Sequence, residues 1–569
     1  MIRTLAYSNT AAPLPLNQKS EWYFPLTSGY EVIQPSEDFR QYILLDAEAK
    51  VKTPSLYAVE SEINRRAGRD LEGLPVAARW DIVSDADLGA LIKSQLRAAQ
   101  QATLELRQIP LKTRIEVLKV FGDRLRNQHE KWRVLTVQES YAYNAFLVSL
   151  DAVLEIFQPS YFDFIEGILQ PVWKSGSGAR LEHVPYGVVG VISPQNSSFP
   201  MLTQVLHGAF LAGNALLIKP PHRLAVVALA LVEEFNRVLK DCGMPNHLVS
   251  TVIHPNTSKI LEHWLGERHG SGRINNLVFI GNSKRRDDIL ATCQKSGLFN
   301  PIVELEGVDA AYVHGDLTDE LLQKYARLVA HAKNAGSGQF CVSLKRLYVH
   351  PEVYEPFMNY LRAAFKQYQP GSLHLNNPYV LGPSSLPQKL PSIVAAFEQA
   401  GARVGLGGRR LNYKGEVDPD GIYIEPTLFE DVSPDCELIQ SEIFANVLPV
   451  IKTSQCLKET IDQLNYSNFG IRTSIFAQDL DVINQLRHAL HVGTVVINGN
   501  PLDFSLQIAG GRGDSTLDQN ARLWPIDLSV RQVVAEGRGI RSLEEILGTP
   551  SNRPRPSLEG RKAQAPDRR

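Results

Sequence analysis

The chain has 569 residues, 44% of them hydrophobic and 21% charged, so enough apolar surface exists to offset chain entropy over about three to four domain-sized units. Lys+Arg 59 against Asp+Glu 61 leave a net charge of −2, which argues against a dedicated nucleic-acid or membrane-surface binder. Five cysteines without a CxxC pair (Cys242, Cys293, Cys341, Cys436, Cys456) exclude a disulfide scaffold and a zinc-finger site, and point to a reducing, cytoplasmic setting.

The first twenty residues lack an apolar core segment, so no secretory leader is expected, and no apolar run is long enough for a membrane span. Residues 1–84 show no long periodic pattern and read as an extension able to pack on the main body. Ser84 offers an N-cap to a helix from Asp85, followed by helices over Thr113–His129 and Trp132–Leu150. From Ala179 short β-rich runs alternate with helices. Val188–Ile192, Ala215–Ile218, Leu277–Ile280 and Ile302–Leu305 read as buried strands, with a helix over Leu224–Leu239. The pattern is that of a doubly wound α/β sheet. A second α/β unit follows Cys341. It comprises a strand at Leu347–Val349, helices over Val353–Tyr368 and Ile393–Ala400, a glycine loop at Gly405–Gly408, and a strand at Leu448–Ile451. Late strands are expected at Thr494–Ile497 and Ser529–Val534. Thr549–Arg569, with six basic and two acidic residues among Pro, Ser and Gly, reads as a disordered, solvated tail.

No P-loop, no full GxGxxG and no HExxH occurs, so no metal site is assigned, and His207, His222, His331 and His350 each read as surface or satisfied core residues. Cys341 is different, because Ala335-Gly336-Ser337-Gly338-Gln339-Phe340 brings a small, permissive backbone up to its sulfur. Taken alone, the commoner fate of such a cysteine is burial as a small hydrophobe. Glu304 closes an apolar strand, where a carboxylate is costly unless paired or useful, and strand ends are where α/β sheets place ligands. Asn196, after Ile192-Ser193-Pro194-Gln195, is either a turn former or an amide donor aimed into a cleft. Lys219 ends a strand before Pro220-Pro221 and suits a ribose or phosphate, or is simply solvated.

Taken together and in order, these segments resemble the aldehyde dehydrogenase superfamily over about residues 85–537. The carriers are Gly338-Gln339-Phe340-Cys341, Glu304-Leu305-Glu306-Gly307 lying 37 residues earlier, Pro194-Gln195-Asn196, Lys219-Pro220, Phe279-Ile280-Gly281-Asn282 and Glu442-Ile443-Phe444-Ala445-Asn446-Val447. The resemblance implies a Rossmann-type cofactor domain, an α/β catalytic domain and a small oligomerisation element. By it the cofactor domain spans 85–306 with an oligomerisation hairpin at 158–182, the catalytic domain spans 307–488, and residues 489–548 return to the cofactor domain and the oligomer strand. It implies NAD(P)-dependent oxidation of an aldehyde to a carboxylic acid. Cys341 would be the nucleophile, Asn196 the oxyanion donor and Glu304 the base that hydrolyses the thioester. Ile192, Pro194, Lys219, His222, Gly281, Asn282, Glu442 and Phe444 would hold the cofactor. The small-molecule aldehyde would be the partner, with no nucleic acid or membrane, and the chain would form a homodimer or homotetramer.

The sequence also departs from the pattern. His222, followed by Arg223, stands where NAD-using members often carry a glutamate, which tips the expectation between NAD and NADP toward NADP. Gln195 replaces a tryptophan, Glu306 a glycine, and Ala445 and Asn446 a glycine and a proline. Acyl transfer to CoA, or the reverse reduction of an acyl thioester, is the alternative that Glu304 argues against. A non-catalytic nucleotide binder and a cysteine hydrolase are the others.

Overall fold

The computed structural model describes residues 22–24, 27–32, 40–44, 76–140, 150, 153–170, 172–173, 179–221, 225–266, 272–370, 377–412, 414–502, 510–519 and 522–535. The expected tail at Thr549–Arg569, His222 and Arg223 lie outside them.

One seven-stranded sheet has the order Ile302–Glu304, Asn276–Ile280, Val188–Ile192, Ala215–Lys219, Val249–Thr251, Thr27–Ser28, Glu31–Val32. The first five are parallel, and four of them are buried at every residue. That explains their continuous Val/Ile/Leu runs, since a strand covered on both faces has no polar side to alternate with. The chain runs outward from Val188–Ile192 in one direction, then crosses back to build the other side. This leaves a topological switch point at the carboxyl ends of the central strands, where open α/β sheets bind ligands.

The early extension completes this sheet. Its hairpin at Thr27–Val32 pairs antiparallel with Val249–Thr251, and the Tyr30 hydroxyl donates to the carbonyls of Met244 and Pro245 at 2.9 and 3.2 Å. An edge strand with unpaired amides is thereby covered.

A second seven-stranded sheet runs Arg403–Leu406, Thr427–Glu430, Val447–Lys452, Arg346–Val349, Ala310–Val313, Arg472–Phe476, Thr494–Ile497, parallel except at the first pair. The expected loop at Gly405–Gly408 is half strand. Gly405 lies inside Arg403–Leu406, and a Cβ there would fall 2.0 Å from Glu430 Oε1. Glycine lets the edge strand pass a buried carboxylate that Arg362 and Arg403 neutralise. The turn follows at Gly407 and Gly408, both with positive φ.

Ser84 caps Asp85–Leu106 as the sequence predicts, accepting from the Asp87 amide. The third helix begins earlier than expected, at His129, and is described to Ser140; residues 141–149 of the expected span lie outside the described residues. Pro351–Val353 forms a 3-10 turn, and the helix proper is Tyr354–Phe365. The segment 158–182 opens not as a hairpin but as a helix, Pro159–Leu169, whose Tyr161, Phe162 and Ile165 bury one face. Only then do Val172–Trp173 and Ala179–Pro185 pair, with Ser529–Ala535 returning antiparallel to the latter. Helix Ser198–Ala212 is buried at every residue, which explains its apolar composition all round.

Candidate active site

The carboxyl edge of the first sheet gathers the predicted cofactor residues. Ile192 and Lys219 end adjacent paired strands, Pro194 follows Ile192, and Gly281 and Asn282 follow Asn276–Ile280. Lys219 is buried, its ammonium has no carboxylate partner among the described residues, and burial alone lowers its pKa to about 8. An orphaned cation at a switch point fits a nicotinamide dinucleotide's phosphate or ribose oxygens.

Glu306 explains one of the departures from the family pattern. Its carboxylate accepts from the Ser283 amide at 3.0 Å through both oxygens and also bonds the Ser283 hydroxyl. Ser283 opens helix Ser283–Lys295, so Glu306 caps that N-terminus in place of the flanking Asn282, whose side chain makes no cap bond.

Four segments converge on Cys341. The Asn196 amide, at the end of the first sheet's central strand, donates to the Gln339 carbonyl at 2.9 Å. Only one of its two N–H bonds is used there. Gly307 lies against the Cys341 loop, since a Cβ on it would sit 2.4 Å from the Cys341 carbonyl oxygen. Gly338, at φ 71°, lies against the Glu442–Val447 segment, where a Cβ would sit 2.3 Å from the Ala445 oxygen. A fourth segment, absent from the sequence reading, fixes the loop from outside. Gln339 donates to the Pro383 carbonyl at 3.0 Å and accepts from the Ser385 amide at 2.7 Å, while Ser337 exchanges bonds with Gly382.

Sequence reasoning missed the charged floor of the site. The Lys345 ammonium, fully buried, donates to the carbonyls of Phe340, Cys341 and Ser343 at 2.8, 3.1 and 2.9 Å and pairs with Glu442 at 3.3 Å. Asp309 is buried beside it, accepts from the Arg472 amide, and is raised to about 7 by burial against the pull of Lys345 and Arg472. Lys333 is buried too, its Nζ without a hydrogen-bond partner, and burial with the repulsion of Lys345 holds it well below the usual lysine range. Its place on the last turn before the Cys341 loop, and that of Lys345 at the start of an apolar strand, were the only sequence signals.

Cys341 is partly exposed. Its surroundings push the thiol up to about 12, through desolvation first and then Glu442, with Lys345 opposing. Glu442 and half-buried Phe444 adjoin the nucleophile loop, and burial raises Glu442 above the usual carboxylate range while Lys345 lowers it. Glu304 is buried and ion-paired with Arg522, a partner with no signal in the sequence. Of the histidines, His207 is a core residue ringed by Phe157, Tyr161 and Phe162, and burial drops its pKa to about 3.

Cys341 lies where the carboxyl edge of the first sheet meets the second α/β sheet, as in dinucleotide-linked α/β enzymes. The aldehyde dehydrogenase family model matches residues 83–528. The chain is 28% identical to an aldehyde dehydrogenase of Agaricus bisporus over 58% of this chain and 62% of that one. It is 26% identical to lactaldehyde dehydrogenase of Escherichia coli (strain K12), over 71% and 82%. Among solved structures, an NADP-dependent enzyme of E. coli superposes with TM-score 0.74 at 20% identity, covering 91% of this chain and 98% of that one. An NAD-dependent aldehyde dehydrogenase of Sinorhizobium meliloti gives 0.75 at 18% identity, over 94% and 100%. The chain belongs to the aldehyde dehydrogenase family. Its reaction is NAD- or NADP-dependent oxidation of an aldehyde to a carboxylic acid. Among the described residues no helix is long and apolar enough to cross a membrane.

Proposed function

We propose that Cys341 carries this oxidation, with Asn196 as oxyanion donor and Glu304 as base. Once its proton has passed to solvent water, Sγ attacks the aldehyde carbon, and the carbonyl oxygen becomes an oxyanion that the spare Asn196 N–H and the Cys341 amide would stabilise. The nicotinamide, when bound, supplies the two-electron acceptor that takes the resulting thiohemiacetal to a thioester. Water then attacks the acyl carbon as Glu304 takes its proton, the C–S bond breaks, and the electron pair returns to Sγ. The observation that carries this reading is the convergence of the Asn196, Gly307 and Gly338 segments on the Cys341 loop.

Lys219, Ile192, Pro194, Gly281 and Asn282 would hold the cofactor along the first sheet's edge, with Glu442 and Phe444 at the nicotinamide end. We read the cofactor as NADP, because His222 and Arg223 offer no acidic partner for a ribose 2′-hydroxyl, and Lys219 carries no carboxylate. We also read the three-stranded sheet of Val172–Trp173, Ala179–Pro185 and Ser529–Ala535 as the oligomer contact. Its edge strand exposes Val530 and Val533.

The test is reduced-cofactor formation from NAD and NADP with a panel of aldehydes, beside Cys341→Ala, with light scattering for the assembly. Turnover that Cys341→Ala abolishes supports the nucleophile. Turnover faster with NAD would overturn the cofactor reading.

A further inference from the structure

The first sheet has a second edge, opposite the one that gathers Ile192 and Lys219. At the amino ends of the same two strands Val188 pairs with Ala215, and Pro185 and Gly213 lie just before them. A groove of about 750 Å³ opens here, between the end of helix Asp85–Leu106, the start of helix Leu111–Asn127 and the paired strands Ala179–Pro185 and Ser529–Ala535. That volume suits a ligand of nucleotide size. Helix Ser198–Ala212 separates the groove from Asn196, and its 15 residues span about 22 Å.

The lining is cationic. Arg107, Arg114, His183 and Arg531 face the groove, and no described lining residue is acidic. None of the three arginines has an ion-pair partner among the described residues. Arg107 reaches only the Pro185 carbonyl, at 3.4 Å. Arg114 spends Nη1 on the Phe210 and Leu211 carbonyls at the end of helix Ser198–Ala212, and its buried Nε has no hydrogen-bond partner. Gly213, at φ 93°, admits that approach, since a Cβ on it would sit 3.0 Å from Nη1. Burial without an anion lowers the Arg114 pKa to about 10. Arg531 stands opposite His183 across the strand pair, and burial and then this charge lower the imidazole's pKa. The one carboxylate close by in sequence, Glu182, falls on the other face of its strand and is paired with Arg180.

Like charges gathered in a concave surface repel one another and focus a positive field, and a bound anion offsets both costs. The guanidinium fork matches phosphate oxygens two at a time. Three such groups from three elements call for more than one negative charge.

We propose that this groove is a second ligand site, remote from Cys341, for a small phosphorylated metabolite carrying two or more negative charges. Arg107 and Arg531 hold its phosphate oxygens from the helix end and the edge strand, and Arg114 adds its charge between them. The strand Ser529–Ala535 is also the edge of the proposed oligomer contact, so the rival occupant is a carboxylate of a second copy. One carboxylate leaves most of this charge unneutralised, which favours the polyanion.

The experiment is isothermal titration of the full chain with inorganic tripolyphosphate in saturating NAD and NADP, which occupy the cofactor edge. One equivalent binds per chain, and Arg107→Gln and Arg531→Gln each weaken it by about tenfold, one charge-assisted hydrogen bond. The double variant abolishes it. Both arginines are exposed, so these variants keep the fold. Citrate, a polycarboxylate, binds more weakly than tripolyphosphate. No binding in the presence of both cofactors, equal binding by the double variant, or citrate bound as tightly would each overturn the proposal. Light scattering on the same samples reads the rival. Assembly lost in the double variant, with no tripolyphosphate bound by the parent, would give the groove to a second copy.

Discussion

Lys345 Nζ donates to the carbonyl oxygen of Cys341 itself, at 3.1 Å, and to the carbonyls on either side of it in the same loop. A fully buried cation thus fixes the backbone that carries the nucleophile, while its charge opposes the Glu442 carboxylate in setting the thiol's proton affinity.

Lys345→Met removes both effects. The thiol rises further, since Lys345 favours the thiolate. Alkylation of Cys341 by iodoacetamide at fixed pH should slow by about tenfold, the equivalent of one pKa unit. An unchanged rate would show that the cation serves the loop alone.

Gly338→Ala tests the contact between the nucleophile loop and the Glu442–Val447 segment. The added Cβ falls 2.3 Å from a backbone oxygen, at a φ of 71° that disfavours any side chain. We expect a loss of more than about 1 kcal/mol of stability, with kcat falling further than that loss explains because Cys341 is displaced. Thermal melts beside kcat would separate the two.

These two loops mark how far the sequence could be read. The parallel strands were legible because burial on both faces leaves an unbroken apolar run, as in Val188–Ile192. Small residues before Cys341 and the strand ends at Glu304 and Asn196 drew attention to these positions, but their roles came only from the family resemblance. Lys345, Asp309 and Arg522 were not legible, because a buried charge has no periodicity, and its partner lies far along the chain: Arg522 meets Glu304 across 218 residues. The helix at Pro159–Leu169 was missed because the oligomer segment was read as a hairpin throughout.

Glu306→Gln tests the price of a carboxylate at the start of Ser283–Lys295. The charge that caps this helix also repels an anion near the same N-terminus. Neutralising it should lower stability by about 0.5 kcal/mol and tighten cofactor binding by about two- to fivefold. Cofactor titration by fluorescence reads this directly, and weaker binding would contradict it.

Asp309 gives a pH dependence of stability. Burial raises its folded-state pKa to about 7, above the 3.8 of a free aspartate, so the native state binds the extra proton between those limits. Its contribution to stability is therefore greatest below the lower limit and is lost as pH rises toward 7. Asp309→Asn keeps an acceptor for the Arg472 amide and removes the titration. The variant's melting temperature should gain on the parent's between pH 5 and pH 8, and a constant difference would refute the assignment.

The most direct measurement is the time course of reduced-cofactor formation by the parent chain, Cys341→Ala and Glu304→Gln with one aldehyde substrate. The account predicts sustained turnover in the first, none in the second, and in the third a single burst of about one equivalent per chain with little turnover after it. Sustained turnover in Cys341→Ala would contradict covalent catalysis at this cysteine.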